Sequence, residues 1–161
     1  MRAKSFWLII LFLGLCANGL YSQELSAAQK KMRSVVMTFL QEEGFTPQID
    51  SDGDVKFKKE GDAHWVLIYD NDSPYVVTIQ RAGFTIGGDD GYDYFKSLVA
   101  VNRVVSNILA VSMYCTDKAV INQVRLLLSD PADFRNVFYK AVSCLSSSDS
   151  RFKKEYSALD Q

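Results

Sequence analysis

Residues 54–86, DVKFKKEGDAHWVLIYDNDSPYVVTIQRAGFTI, decide the fold. Val55 and Phe57 alternate with lysines, Trp65 to Tyr69 is an unbroken apolar run, and Tyr75, Val77 and Ile79 alternate with Val76, Thr78 and Gln80. That period of two is the spacing of strands. Gly61-Asp62 and Asn71-Asp72-Ser73-Pro74 interrupt the pattern where turns are needed: Gly, Asn and Asp tolerate positive φ, and Pro presets φ while giving up its N–H. The stretch therefore predicts a meander of antiparallel strands. Its central run, Trp65-Val66-Leu67-Ile68-Tyr69, is apolar on both faces, so its second face must meet helices or another subunit rather than water alone.

Upstream, Ser26 to Gly44 reads as an amphipathic helix. Ser26 and Gln29 have capping-box spacing, Ala28, Met32, Val35, Val36, Phe39 and Leu40 form one stripe, and Gly44 suits the left-handed exit. Phe45 to Ile49 predicts a short first strand. Asp50-Ser51-Asp52-Gly53-Asp54 places carboxylates at alternate positions, as calcium loops do, but Val55 stands where that loop needs Gly and Gly61 where it needs Glu. A hairpin turn with solvated carboxylates is the better reading.

Downstream, Gly83 to Gly91 is a glycine-rich passage from strand to helix. A phosphate loop is opposed by the missing Lys-Ser/Thr pair and by Asp89 and Asp90, so Asp90 is read as an N-cap with Asp93 in the first turn. The helix from Gly91 to about Leu109 is apolar on more than one side. Tyr92, Phe95, Leu98, Val99, Val105 and Ile108 make one stripe, and Tyr94, Val101 and Val104 make another. A helix of this kind is buried or shared with a partner, and Asn102 reads as a core amide. Ala110 to Cys115 and Ala119 to Leu128 predict a hairpin around Thr116-Asp117-Lys118. Asp130-Pro131 opens a last helix with the stripe Phe134, Val137, Phe138, Ala141, Val142 and Leu145. Ser146 to Ser148 suggest its end, whereas Phe152, Tyr156 and Leu159 keep helical spacing, so residues 149–161 form a tail that docks or is mobile.

At 161 residues, with 48% hydrophobic and 23% charged, the chain suits a single α+β domain over residues 23–161. Residues 1–22 read as a signal peptide: Arg2 and Lys4 precede the apolar run Phe6 to Leu15, which is short for a membrane span. Cleavage is placed after Ser22, with Ala17 and Gly19 as alternatives. Cys16 raises a lipoprotein reading, opposed by bulky Leu15 just before it. Removing this segment takes away two basic residues and no acidic one, moving the formal charge from −1 to −3. A mildly acidic chain is a poor nucleic-acid partner, and no later segment is apolar for long enough to remain in a membrane. The implied location is periplasmic or secreted. Such a compartment permits a disulfide between Cys115 and Cys144, whose alternative is service as small buried hydrophobes.

Chemistry is scarce. His64 is the single histidine, with no metal-ligand spacing around it, and no nucleophile or zinc-protease motif occurs. No catalytic residue, metal or cofactor is expected. The element order α-β-β-β-β-α-β-β-α resembles the type III secretion chaperone-like fold, and within it the YbjN-like family of bacterial sensory transduction regulators. The stretches carrying the resemblance are EEGF (42–45), DGDVKFKKEG (52–61), VAVNRVVSN (99–107) and SDPADF (129–134). It implies a module that binds protein segments or dimerises, without catalytic residues. The expected interaction surface is Trp65, Val66, Ile68, Tyr94, Val101 and Val104, in an exported homodimer with a protein partner. The competing expectation is a periplasmic ligand binder or enzyme using loop carboxylates such as Asp89, Asp90 and Asp93.

Overall fold

The computed structural model describes residues 25–72, 74–108 and 110–160. The signal peptide, its cleavage sites and Cys16 lie outside these residues, as do Ser73 of the expected turn and Leu109 at the expected helix end.

The first helix, α1 (Ala27–Glu42), starts where local chemistry says it should. Ser26 Oγ accepts from the Gln29 N–H at 3.1 Å, and the Ser26 N–H donates to Gln29 Oε1 at 3.1 Å. Gly44, at φ +83°, takes the left-handed conformation after its end. Four strands follow: β1 (Gln48–Ile49), β2 (Val55–Lys59), β3 (Asp62–Ile68) and β4 (Tyr75–Thr85). Then come α2 (Tyr94–Val105), β5 (Ser112–Cys115), β6 (Ala119–Leu128), a 3-10 turn at Pro131–Asp133, and α3 (Phe134–Ser157). The strands form one antiparallel sheet of six in the order β1-β2-β3-β4-β6-β5. This is the α+β class and the element order read from the sequence.

Several boundaries differ, each for a visible reason. The first strand shrinks from Phe45–Ile49 to Gln48–Ile49, because Phe45 turns into the core against the rings of Phe57 and Phe138, at 5.3 and 6.0 Å. The second helix begins at Tyr94, not Gly91, and Asp93, not Asp90, is its N-cap, accepting from the Lys96 N–H at 2.8 Å. Tyr92 is held in extended pairing, its N–H on the Thr85 carbonyl and its carbonyl on the Gly87 N–H. It therefore cannot join the helix. The last helix runs through Ser146–Ser148 to Ser157, and Phe152 is fully buried, so the tail is docked as part of one helix.

Register shows which side of the sheet is covered. Val55, Val66, Ile79 and Val124 stand opposite one another across β2, β3, β4 and β6, and all four are buried. The row beside it carries Lys56, Trp65, Gln80 and Gln123 on the other face. The core residues of α1, α2 and α3 all join clusters with the first face. The helices therefore share one side instead of dividing between the two. Val66 and Ile68 point into the core, while Trp65 and Leu67 lie on the uncovered face.

Candidate functional site

Among the described residues, one apolar surface is left exposed and a second partly so. On α2, Tyr94, Phe95, Leu98 and Val99 are exposed, Phe95 by 74%. The buried side of the same helix is Ser97, Ala100, Val101 and Val104. Of the two apolar stripes read on this helix, the phase that is buried is that of Val101 and Val104, where small Ser97 and Ala100 let the backbone approach the sheet and α3 closely. Asn102, expected as a core amide, is consequently solvent-exposed.

The second surface is the open sheet face, with Trp65, Leu67, Val76 and Leu127, the last 68% exposed. Lys56 Nζ lies 5.3 Å from the Trp65 ring centroid, and the Arg125 guanidinium lies 5.5 Å from that of Tyr69. At one corner, a cleft of about 290 Å³ is lined by Asp50, Asp52, Asp54, Trp65, Leu67, Gln80 and Ala82. Asp50 Oδ1 accepts from the N–H groups of Asp52 and Asp54 at 3.1 and 3.0 Å, which fixes the turn. Gly53 within it has φ +86° and its carbonyl accepts from Arg33 Nη2. Burial, helped by the charges of Asp50 and Asp52, raises the Asp54 pKa.

Of the six residues expected to form the interaction surface, Tyr94 is exposed and Trp65 lies half-buried on the open face. Val66, Val101 and Val104 are buried and Ile68 packs against the core, so these four belong to the interior. Phe95, Leu98, Val99 and Leu127 are instead the apolar side chains left exposed.

Between the two core clusters runs a row of polar side chains that sequence reasoning missed. His64, Arg81 and Asn122 stand opposite one another across β3, β4 and β6. Asp149 of α3 descends onto the row: Arg81 Nη1 donates to its Oδ2 at 2.5 Å, and Asn122 Nδ2 donates to its Oδ1 at 3.1 Å. Asn122 Nδ2 also reaches the Leu145 carbonyl at 2.9 Å and Ser148 Oγ at 2.6 Å. Arg81 Nη2 pairs with half-exposed Asp62 at 2.8 Å. Burial raises the Asp149 pKa, against the pull of Arg81 and the Asn122 hydrogen bond. Gly83 makes the approach possible, since a Cβ there would meet Asp149 Oδ1 at 3.0 Å. The sequence did carry two signals: a polar Asn122 at an inward position between Val120 and Val124, and a glycine inside a strand.

His64 is a core histidine. It is 3% exposed, stacks on Phe57 with centroids 5.1 Å apart, and donates from Nδ1 to the Asp62 carbonyl at 3.1 Å. Burial holds its pKa below the ordinary range. Cys115 and Cys144 are free thiols, not a disulfide, because they pack against different clusters, Cys115 on the smaller and Cys144 on the larger. Burial pushes the Cys115 thiol up, keeping it protonated. Asp89, Asp90 and Asp93 do not converge: Asp93 caps α2, and of the three only Asp90 lines the nearby open cleft of about 440 Å³ with Tyr92, Lys153, Tyr156 and Asp160. Among the described residues, no group of three His, Cys, Asp or Glu side chains is arranged to hold a metal, and no helix is long and apolar enough to cross a membrane. Compared with models of protein families and with curated proteins, the chain matches none.

Proposed function

We propose that this chain is an exported, non-enzymatic protein-interaction module of type III secretion chaperone-like arrangement, acting as a homodimer or binding a protein segment, as its resemblance to the YbjN-like family implies. The observation that carries the reading is the strip of Tyr94, Phe95, Leu98 and Val99 left to solvent on α2. Contiguous apolar surface of this kind marks a contact surface. Asp93 lies at the N-terminal end of the strip and Arg103 at its C-terminal end. A second copy laid antiparallel would thus bring opposite charges together, and a two-fold axis would close the contact. The test is light scattering at high micromolar concentration. The wild type is expected to be dimeric, and Phe95→Ser with Val99→Ser monomeric with an unchanged circular dichroism spectrum. A strictly monomeric wild type would overturn the homodimer.

A second reading, a small-ligand binder using loop carboxylates, is favoured by the corner cleft where Asp50, Asp52 and Asp54 meet Trp65 and Gln80. Calorimetric titration with an organic amine such as spermidine addresses it: saturable heat lost in Asp52→Asn with Asp54→Asn supports ligand binding there, and no heat counts against it.

A further inference from the structure

Arg81 and Asn122 are partners across β4 and β6, and the chain between them leaves and returns at that pair. This excursion holds the bulged end of β4, the glycine loop, α2, β5 and the start of β6. Its buried side chains Phe84, Ala100, Val101, Val104, Met113 and Val120 form the smaller core cluster together with Phe152 of α3. The larger cluster is built from α1, β2, β3, the first half of β4, the last half of β6 and the N-terminal half of α3; Val111, just before β5, also belongs to it, and Ile108 touches both. Where the two would otherwise merge, the polar row intervenes. Contact between the clusters is thus carried at that level by hydrogen bonds and an ion pair, which are directional and break as a set.

We propose that the smaller cluster is a separately opening unit, latched to the rest of the molecule by Asp149 on Arg81 and Asn122. The end of α3 belongs to the unit, because α2 is fastened to it: the Asp93 N–H donates to Tyr156 Oη at 2.8 Å, Lys96 pairs with Asp160, and Arg103 lies 3.7 Å from Glu155. Opening does not strand the buried cation. When Asp149 leaves, Arg81 keeps Asp62, whose half-exposed carboxylate stays in place on β3. Asn122 likewise stays on β6 at the base of the excursion. Opening takes from the larger cluster only the apolar contacts of Val111 and Ile108, since Phe152 belongs to the other side. Cooperative sub-global openings of this kind follow supersecondary units.

Native-state hydrogen exchange with increasing urea reads this directly and needs no partner. In the wild type, amides of α2, β5 and α3 beyond Phe152 are expected to share one opening, with a smaller urea dependence than amides of α1, β2 and β3. Asp149→Ala should raise the opening constant of that unit roughly 10- to 100-fold, since it leaves buried donors without their carboxylate. Val66→Thr, confined to the larger cluster, should speed exchange in α1, β2 and β3 and leave the unit's opening constant unchanged. The proposal is overturned if α2 and β5 exchange only through the opening that exposes β2 and β3, if Val66→Thr shifts both groups equally, or if Asp149→Ala leaves the unit's opening unaltered.

Discussion

Replacing two neighbouring residues of β3 separates its two faces. Val66 is fully buried, standing between Val55 and Ile79 in the layer beneath the helices, whereas Leu67 lies on the uncovered face beside Thr78. Val66→Thr keeps the shape and exchanges a methyl for a hydroxyl. The lost methyl burial is worth about 0.8 kcal/mol, and an unsatisfied buried hydroxyl costs about 1–3 kcal/mol. The expected destabilisation is therefore about 2–4 kcal/mol, a large part of the ~5–15 kcal/mol that holds a domain of this kind together. With a urea slope near the middle of the usual range, about 2 kcal/mol per molar, the midpoint should fall by roughly 1–2 M. Leu67→Thr, on a half-buried outer position, should cost under about 1 kcal/mol. Parallel urea melts followed by circular dichroism make the comparison. Equal losses for the two variants, or a Val66→Thr midpoint indistinguishable from wild type, would show that the faces of β3 have been assigned the wrong way round.

Two further outcomes follow from local geometry and charge. Gly91 has no room for a side chain: a Cβ would lie 1.7 Å from the Gly87 carbonyl oxygen, so Gly91→Ala should force the loop before α2 to move and cost about 1–3 kcal/mol, measured by thermal melting. Stability should also depend on pH through two buried groups of opposite sign. His64 has a pKa below its ordinary 6.5, so the folded state binds fewer protons than the unfolded chain. Its contribution is present above 6.5 and is lost as pH falls through the lowered value. Asp149 has a pKa above its ordinary 3.8, so its contribution is present below 3.8 and is lost as pH rises through the raised value. Urea midpoints of wild type and His64→Gln should therefore converge as pH falls below 6.5, and a constant difference down to pH 5 would contradict a buried neutral histidine.

Features settled by neighbours in sequence were legible, and features settled by distant contacts were not. The Ser26–Gln29 box stands as read; Asp50–Asp54 is the hairpin turn expected, though Asp50 bonds its backbone instead of water, and Asp130-Pro131 caps a 3-10 turn that leads into α3. The Arg81–Asp149 pair joins residues 68 apart, so no local pattern announces it. Asn102 and Asn122 look alike in sequence, amides among apolar neighbours, yet one faces water on a helix and the other is buried on a strand. What separates them is the phase of α2. Hydrophobicity could not fix that phase, because both sides of the helix are apolar, and the choice fell to the side where Ser97 and Ala100 allow close approach. The same surplus that hid the phase leaves Phe95, Leu98 and Val99 in water, where three apolar side chains on one short helix gain nothing until something covers them. A strip that the fold has no use for internally is the physical ground on which the proposed contact falls on α2 and not on Val66 and Ile68 of β3, which already have their cover.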